Sequence, residues 1–324
     1  MYFKKLIHPE YFQGNKKKDH YFEGWYYKLV SRDEKDTIAF IPGVSINQKD
    51  QHAFIQVFIS HKSIKDVSLK THYIRFDFND FSYSHKEFWI RIGKNYFSKE
   101  RIELSIRKKD LKISGIVNLD SRTPIKTSLF SPNIMGIFGY VNFMECYHGI
   151  ISMSHQLSGI IPINQKNIDF FDGKGYMEKD WGTSFPKTYV WLQSNHFKDS
   201  NTSFLFSYAD IPFIGFHFKG LIVNLFYQNK EYRFATYNGA KVKKEEIGEG
   251  NASYTIKKGK YRLEVVANSS VQIELASPKN GMMIEQIKEG LSGNIHLKLY
   301  DKNNLIYEDI GEHAGIEIMK PTIK

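Results

Sequence analysis

Apolar and polar residues alternate through most of this chain, in short runs that turn residues separate. Such period-two spacing marks half-buried antiparallel strands. The first half shows it in "THYIRFDFNDFSYS" at 71–84, "EFWIRIG" at 87–93 and "RIELSIRKKDLKISGIVNL" at 101–119. The second half repeats the habit in "TYVWLQSNHF" at 188–197, "TSFLFSYAD" at 202–210 and "IGFHFKGLIVNLFY" at 214–227. Two stretches read as hairpins: "NASYTIKKGKYRLEVVA" turns at Lys258-Gly259, and "GNIHLKLYDKNNLIYED" turns between Asp301 and Asn304. Both put Gly, Asn or Asp where positive φ is tolerated. Only two segments, near 61–68 and 240–249, read as helix.

So many strands must hide their edges by closing into barrels or packing as sandwiches. With 25 Phe and 20 Tyr against 9 Pro, the composition also favours sheet over a helical bundle or disorder. The expected class is all-β, and 324 residues suffice for two barrel-like domains. No fixed repeat period appears, which argues against a propeller or solenoid. Strand pattern breaks at "SGIIPINQKNIDFF", 158–171, around Pro162. The expected domains are therefore 1–162 and 163–324.

The net charge is +10, and lysine supplies 37 of the 45 basic residues. These lysines cluster where turns are expected, at 16–18, 108–109, 243–244 and 257–260. A nucleic-acid surface would concentrate arginine and aromatics on one element, so no nucleic-acid partner is expected. Weak attraction to an anionic membrane surface stays open. The single cysteine, Cys146, excludes an intrachain disulfide, and the N-terminus lacks the apolar run of a signal peptide. No run approaches the roughly 20 apolar residues that span a bilayer. The expectation is a cytoplasmic protein, peripheral at a membrane at most, as a monomer or homodimer.

Three stretches can carry chemistry. In "HYFEGWYYKL", 20–29, a strand sends Tyr21, Glu23, Trp25 and Tyr27 to one face. A glutamate among aromatics resists ionisation and becomes a proton donor near neutral pH; alternatively Glu23 pairs with a lysine or accepts from backbone donors. In "MECYHGIISMSHQLSG", 144–159, Glu145 and Tyr147 share one parity and His148 takes the other, where an imidazole can serve as acid or base. In "GKGYMEKDWGTSFP", 173–186, Tyr176, Glu178 and Asp180 line one strand face just before Trp181. The following strand sends Trp191, Gln193 and Asn195 to one face. In a barrel that encloses a cavity such a stripe either faces water or lines the pocket; Trp181 and Trp191 favour the pocket, since amphipathic aromatics beside a few polar groups build small-molecule sites, and Trp25, Gln193, Asn195, Glu23 and Glu145 are the further candidates for substrate binding. No metal-ligand motif, nucleophile elbow, Walker loop or dinucleotide fingerprint is present, so no metal and no cofactor is expected.

Taken together, "YFEGWYYKL", "FIPGVS", "NIMGIFGYVNFMECYHGIISMSHQLSG", "GKGYMEKDWGTSFPKTYVWLQSNHF", "ASPKNGMM", "GLSGNIHLKLY" and "HAGIEI" resemble the tocopherol cyclase family. That family is grouped with carotenoid hydratases of the hydroxyneurosporene synthase type and certain fungal cyclases. The resemblance spans essentially the whole chain. It implies two lipocalin-like antiparallel β-barrels packed together. In the hydratase relatives the acid that protonates an alkene lies in a Tyr-x-Asp segment before Asn-Trp-Gly; the matching segment here is Tyr176-Met177-Glu178 before Asp180-Trp181-Gly182. The resemblance thus implies Glu178 as proton donor, Tyr176 as its orienting partner, and His148 and Asp180 beside them. The implied chemistry is protonation of a carbon–carbon double bond in a prenylated quinol or related isoprenoid. A phenol oxygen or water then captures the cation, which Trp25, Trp181 and Trp191 stabilise. The rival is a non-catalytic carrier of a hydrophobic ligand. Plant members carry a plastid transit segment that this chain lacks, and fold transfers more safely than substrate.

Overall fold

The computed structural model describes residues 2–63, 66–269 and 271–320. The alternating runs form two antiparallel sheets, one of twelve strands and one of ten. Along the first sheet the order is Val67–Phe76, His52–Lys62, Asp36–Ile46, Tyr21–Val30, Lys174–Gly182, Cys146–Ile163, Lys112–Asp120, Arg101–Arg107, Asn95–Ser98, Trp89–Ile92 and Phe81–Tyr83, with Lys166–Asp169 paired outside this path on the Cys146 strand. Along the second the order is Lys230–Ala235, Phe216–Tyr227, Ser203–Phe213, Tyr189–Ser194, Asn304–Met319, Met282–Asp301, Tyr261–Asn268, Asn251–Lys258 and Lys241–Ile247, with Ile273–Lys279 paired on the Met282 strand. In each sheet a late strand inserts beside an early one. Lys174–Gly182 joins Tyr21–Val30 to Cys146–Ile163, and Asn304–Met319 joins Tyr189–Ser194 to Met282–Asp301.

The all-β class is the expected one, but neither sheet closes into a barrel through hydrogen bonds among the described residues. The first sheet ends at Val67–Phe76 and Phe81–Tyr83. Between them the chain turns through a 3₁₀ segment, Phe78–Asp80, which Asp77 caps by accepting the Asn79 N–H. Phe76, Phe78, Phe81 and Tyr83 pack there against the core. Aromatic side chains thus cover core that a closing ladder would otherwise have to seal.

The expected helix at 240–249 is a strand, Lys241–Ile247. Its Lys and Glu residues favour a helix by propensity, yet on the outermost strand of a sheet they lie exposed and guard the edge. The helix expected near 61–68 is also absent from the described residues. Residues 61–62 and 67–68 belong to strands, and 64–65 lie outside the described set. Both hairpins form as expected, with Lys258 opposite Tyr261 and Asp301 opposite Asn304.

By contacts the chain divides into two units. One comprises 1–135, 146–185 and 276–285; the other comprises 136–145, 186–275 and 286–324. Pro162, where a domain boundary was expected, lies inside the strand Cys146–Ile163 and pairs with Asn167. Each unit has its own core. Trp25, Tyr27, Phe40, Phe97 and Met177 belong to the first, and Leu192, Phe206, Val223, Leu263 and Leu297 to the second. Each such side chain contributes about 1.5–3 kcal/mol by leaving water.

Candidate active site

The Lys174–Gly182 strand is buried on both faces, and the two faces have different chemistry. Its register sets Lys179 opposite Trp25 and Trp181 opposite Glu23, while Glu178 lies opposite Tyr26 and Asp180 opposite Gly24. Directly opposed residues project to the same side of a sheet. Met177 and Trp181 therefore join Trp25 and Tyr27 in the core, whereas Tyr176, Glu178 and Asp180 share the other face with Tyr26.

On the core face, Glu23 and Lys179 form an ion pair whose side chains are both fully buried. Glu23 also accepts hydrogen bonds from the Tyr21 hydroxyl at 2.6 Å, the Gln13 N–H at 2.8 Å and the Gly14 N–H at 2.9 Å. Lys179 donates to the carbonyls of Pro9 at 2.8 Å and Tyr11 at 2.6 Å. Its ammonium lies 4.8 Å from the ring centres of both Trp25 and Trp181. Burial brings the Lys179 pKa down to about 8, although the Glu23 charge pulls it up. The pair clamps the segment around residues 9–14 onto the sheet. Gly149, opposite Lys179, makes room for it: a Cβ there would stand 2.5 Å from Pro9 Cβ.

Three of the expected substrate contacts, Glu23, Trp25 and Trp181, lie on this face. Glu23 takes the alternative expected for it: it pairs with a lysine and accepts from two backbone amides and a tyrosine. Trp25 and Trp181 do present their rings to a cation, but that cation is Lys179, on the face opposite Glu178. Lys179 itself escaped sequence reasoning, because only the register places a lysine between two tryptophans.

The other face brings together the four residues expected to do chemistry. The Tyr176 hydroxyl donates to Glu178 Oε2. His148, on the neighbouring strand directly opposite Asp180, has Nδ1 2.7 Å from Asp180 Oδ1 and Nε2 3.4 Å from Glu178 Oε2. Tyr176 is fully buried and Glu178 is 4% exposed. Burial first, then the Glu178 carboxylate and its hydrogen bond, push the Tyr176 phenol well above its ordinary pKa, so it stays a donor. With Asp180 accepting at Nδ1, the tautomer of His148 that faces Glu178 is set. The chain of contacts runs Asp180, His148, Glu178, Tyr176. Gly24, opposite Asp180, adds no side chain over it.

His148, Glu178 and Asp180 also offer ligand atoms within 4.8 Å of one another, a spacing that can hold a metal ion. No sequence motif marked this group, because its members come from two strands paired only in the fold. In the present geometry these ligand atoms face one another and the Tyr176 hydroxyl.

The remaining expected residues lie in the second unit. Trp191, Gln193 and Asn195 alternate with the core residues Val190 and Leu192, so they share the face directed away from that core, as the parity implied. All three are buried. Glu145 is half-buried; burial raises its pKa, while the charges of Lys187 and His217 pull it down.

Comparison with known proteins places this architecture. Similar folds occur in a candidate AttH from Nitrosomonas europaea, at 14% identity and TM-score 0.54 over 92% of each chain. CghA crystallised with Sch210972 is similar at 7% identity and TM-score 0.58, over 92% of this chain and 88% of that one. Kievitone hydratase from Nectria haematococca is similar at 8% identity and TM-score 0.50, over 93% and 88%. At such identities the likeness is one of fold. No curated protein matches the chain. The family model described as tocopherol cyclase-like matches residues 132–319, more than half of the chain, and that stretch contains His148, Tyr176, Glu178 and Asp180. The chain belongs to the tocopherol cyclase-like family.

Proposed function

We propose that the protein is an acid-initiated cyclase or hydratase acting on an isoprenoid double bond, with a prenylated quinol as the substrate class. The carrying observation is the Asp180–His148–Glu178–Tyr176 chain, buried at Glu178 and Tyr176, in which a carboxyl group has a hydroxyl donor on one side and an imidazole on the other. Family membership and a fold shared with a hydratase support it.

In this mechanism Glu178 delivers its proton to the less substituted alkene carbon and leaves a tertiary cation. The substrate's phenol oxygen, or a water, attacks that cation and loses a proton. His148 then carries a proton back to Glu178, with Asp180 stabilising the imidazolium. Cyclisation conserves all atoms of the substrate; hydration adds one water. Tyr176 fixes the carboxyl and does not itself react. Positioning in a water-poor setting supplies the remainder.

The test is turnover of a prenylquinol panel in heavy water. One deuterium is expected on the carbon adjacent to the new C–O bond, and Glu178→Gln should stop turnover while ligand binding survives. Product formed without deuterium removes the mechanism. A co-purified, chemically unchanged lipid with no turnover on any panel member supports the carrier reading instead.

A further inference from the structure

We propose that the hairpin tip Phe213–Phe216 of the second unit inserts into the interface of an anionic lipid bilayer. This assignment stands apart from the chemistry at Glu178 and is read by binding alone.

The strands Ser203–Phe213 and Phe216–Tyr227 end with Phe213 opposite Phe216, leaving Ile214-Gly215 as a two-residue turn. Both turn residues have positive φ, +41° for Ile214 and +81° for Gly215. Turns of this kind favour Asn-Gly or Asp-Gly. A β-branched residue there is an outlier, and such conformations cluster where function needs them. Here the strain displays an apolar side chain, since Ile214 is 72% exposed and Phe216 is 55% exposed.

The apex rests on an aromatic base. Phe213 packs against Phe218, Phe138 and Phe143 at centroid distances of 5.9, 6.2 and 5.5 Å, and Phe138 stacks on Phe218 at 5.3 Å. Phe143, Ile137 and Tyr140 add exposed apolar surface from the 136–145 segment of the same unit. An aromatic, aliphatic tip with tyrosine beside it suits the boundary between headgroups and acyl chains.

Charge selects the occupant. Lys219, His217 and Lys187 are exposed; two acids lie among them, Asp210, 3.3 Å from His217 and opposite Lys219 on the hairpin, and Glu145, on which Lys187 and His217 act. The chain as a whole carries +10. An apolar tip that carries exposed lysines, on a chain of that net charge, fits an anionic bilayer, which attracts each nearby lysine electrostatically.

The experiment is flotation of the full chain with phosphatidylcholine vesicles, with and without phosphatidylglycerol. Wild type should float with the anionic vesicles and lose binding at high salt. Ile214→Asn puts a residue that tolerates positive φ at the strained position, so its Tm should hold or rise while vesicle partitioning falls about tenfold or more; Phe216→Ser should lower partitioning similarly. Lys219→Glu should weaken anionic binding only. The proposal is overturned if the tip variants float like wild type, or if binding ignores phosphatidylglycerol. It is also overturned if sedimentation shows a wild-type dimer that Ile214→Asn dissociates without any vesicle binding, for the tip would then join two copies.

Discussion

Two Tyr-x-Glu pairs stand on adjacent strands of the first sheet, Tyr21 with Glu23 and Tyr176 with Glu178, and they have opposite fates. In each, a buried tyrosine hydroxyl donates to the glutamate two residues on. In each, burial holds the phenol's proton in place. What differs is the rest of the carboxylate's environment. Glu23 meets a lysine and two backbone amides, donors that hold it in place inside the core. Glu178 meets an imidazole that a second carboxylate backs from behind. A lysine neutralises a charge, whereas a histidine can pass a proton at working pH. The same Tyr-x-Glu pattern thus yields a clamp on one face and a candidate acid on the other.

Exchanging the glutamates should separate these roles most sharply. Glu178→Gln should lower turnover by about 10²–10⁴-fold, the usual contribution of a general acid, with thermal unfolding near that of wild type. Glu23→Gln should do the reverse, destabilising the first unit while any folded fraction retains activity. Comparable losses of activity at equal folded protein would erase the distinction.

Next in size is the lysine. Lys179→Met breaks the buried pair and should cost about 3–5 kcal/mol in chemical denaturation, because Glu23 then stays buried without its counter-charge. The double variant Glu23→Gln with Lys179→Met should lose less than the two singles summed. The pH dependence has a definite sign. The fold holds Lys179 near 8 against an ordinary 10.5, so between these values the unfolded chain binds a proton that the folded chain does not. The contribution of this group to stability therefore rises with pH from about 8 to 10.5, and Lys179→Met should flatten that rise.

These contrasts also show what the sequence could disclose. Strand parity put Tyr176, Glu178 and Asp180 together, and Trp191, Gln193 and Asn195 together, because period two is a property of one strand alone. Which face met the core was not legible, since "YFEGWYYKL" and "GYMEKDW" are buried on both sides and neither side is simply apolar. Trp25 and Trp181 were expected beside the substrate, whereas their rings flank Lys179, a residue that strand parity alone did not single out. Barrel closure was over-read for a related reason: alternation reports that strands exist, while pairing of the outermost strands depends on how Phe76, Phe78 and Phe81 fill the gap. The family resemblance, by contrast, tied His148 to Glu178 although 30 residues of chain separate them, something no local periodicity supplies.

A smaller effect should come from the orienting carboxylate. Asp180→Asn keeps the shape but no longer holds Nδ1 of His148 as a donor, so the ring can turn away from Glu178. Turnover should fall at least roughly 10- to 100-fold with substrate binding unchanged, the size of effect seen when the carboxylate partner of a metal-ligating histidine is lost. An unchanged turnover number would cut Asp180 out of the relay.

The two tyrosines give the finest test. Tyr21→Phe removes one of several donors from Glu23 and should cost stability alone, toward the lower end of about 1.5–3 kcal/mol, since Lys179 and two amides remain. Tyr176→Phe removes a donor from the carboxyl that His148 approaches. A hydroxyl that donates to a carboxylate favours its charged form, so its loss should move the controlling limb of the pH–rate profile to higher pH. A merely structural tyrosine would lower activity in proportion to folded protein and leave the profile where it was. A displaced limb for Tyr176→Phe beside an unmoved one for Tyr21→Phe would place the proton chemistry on one face of the strand and the clamp on the other.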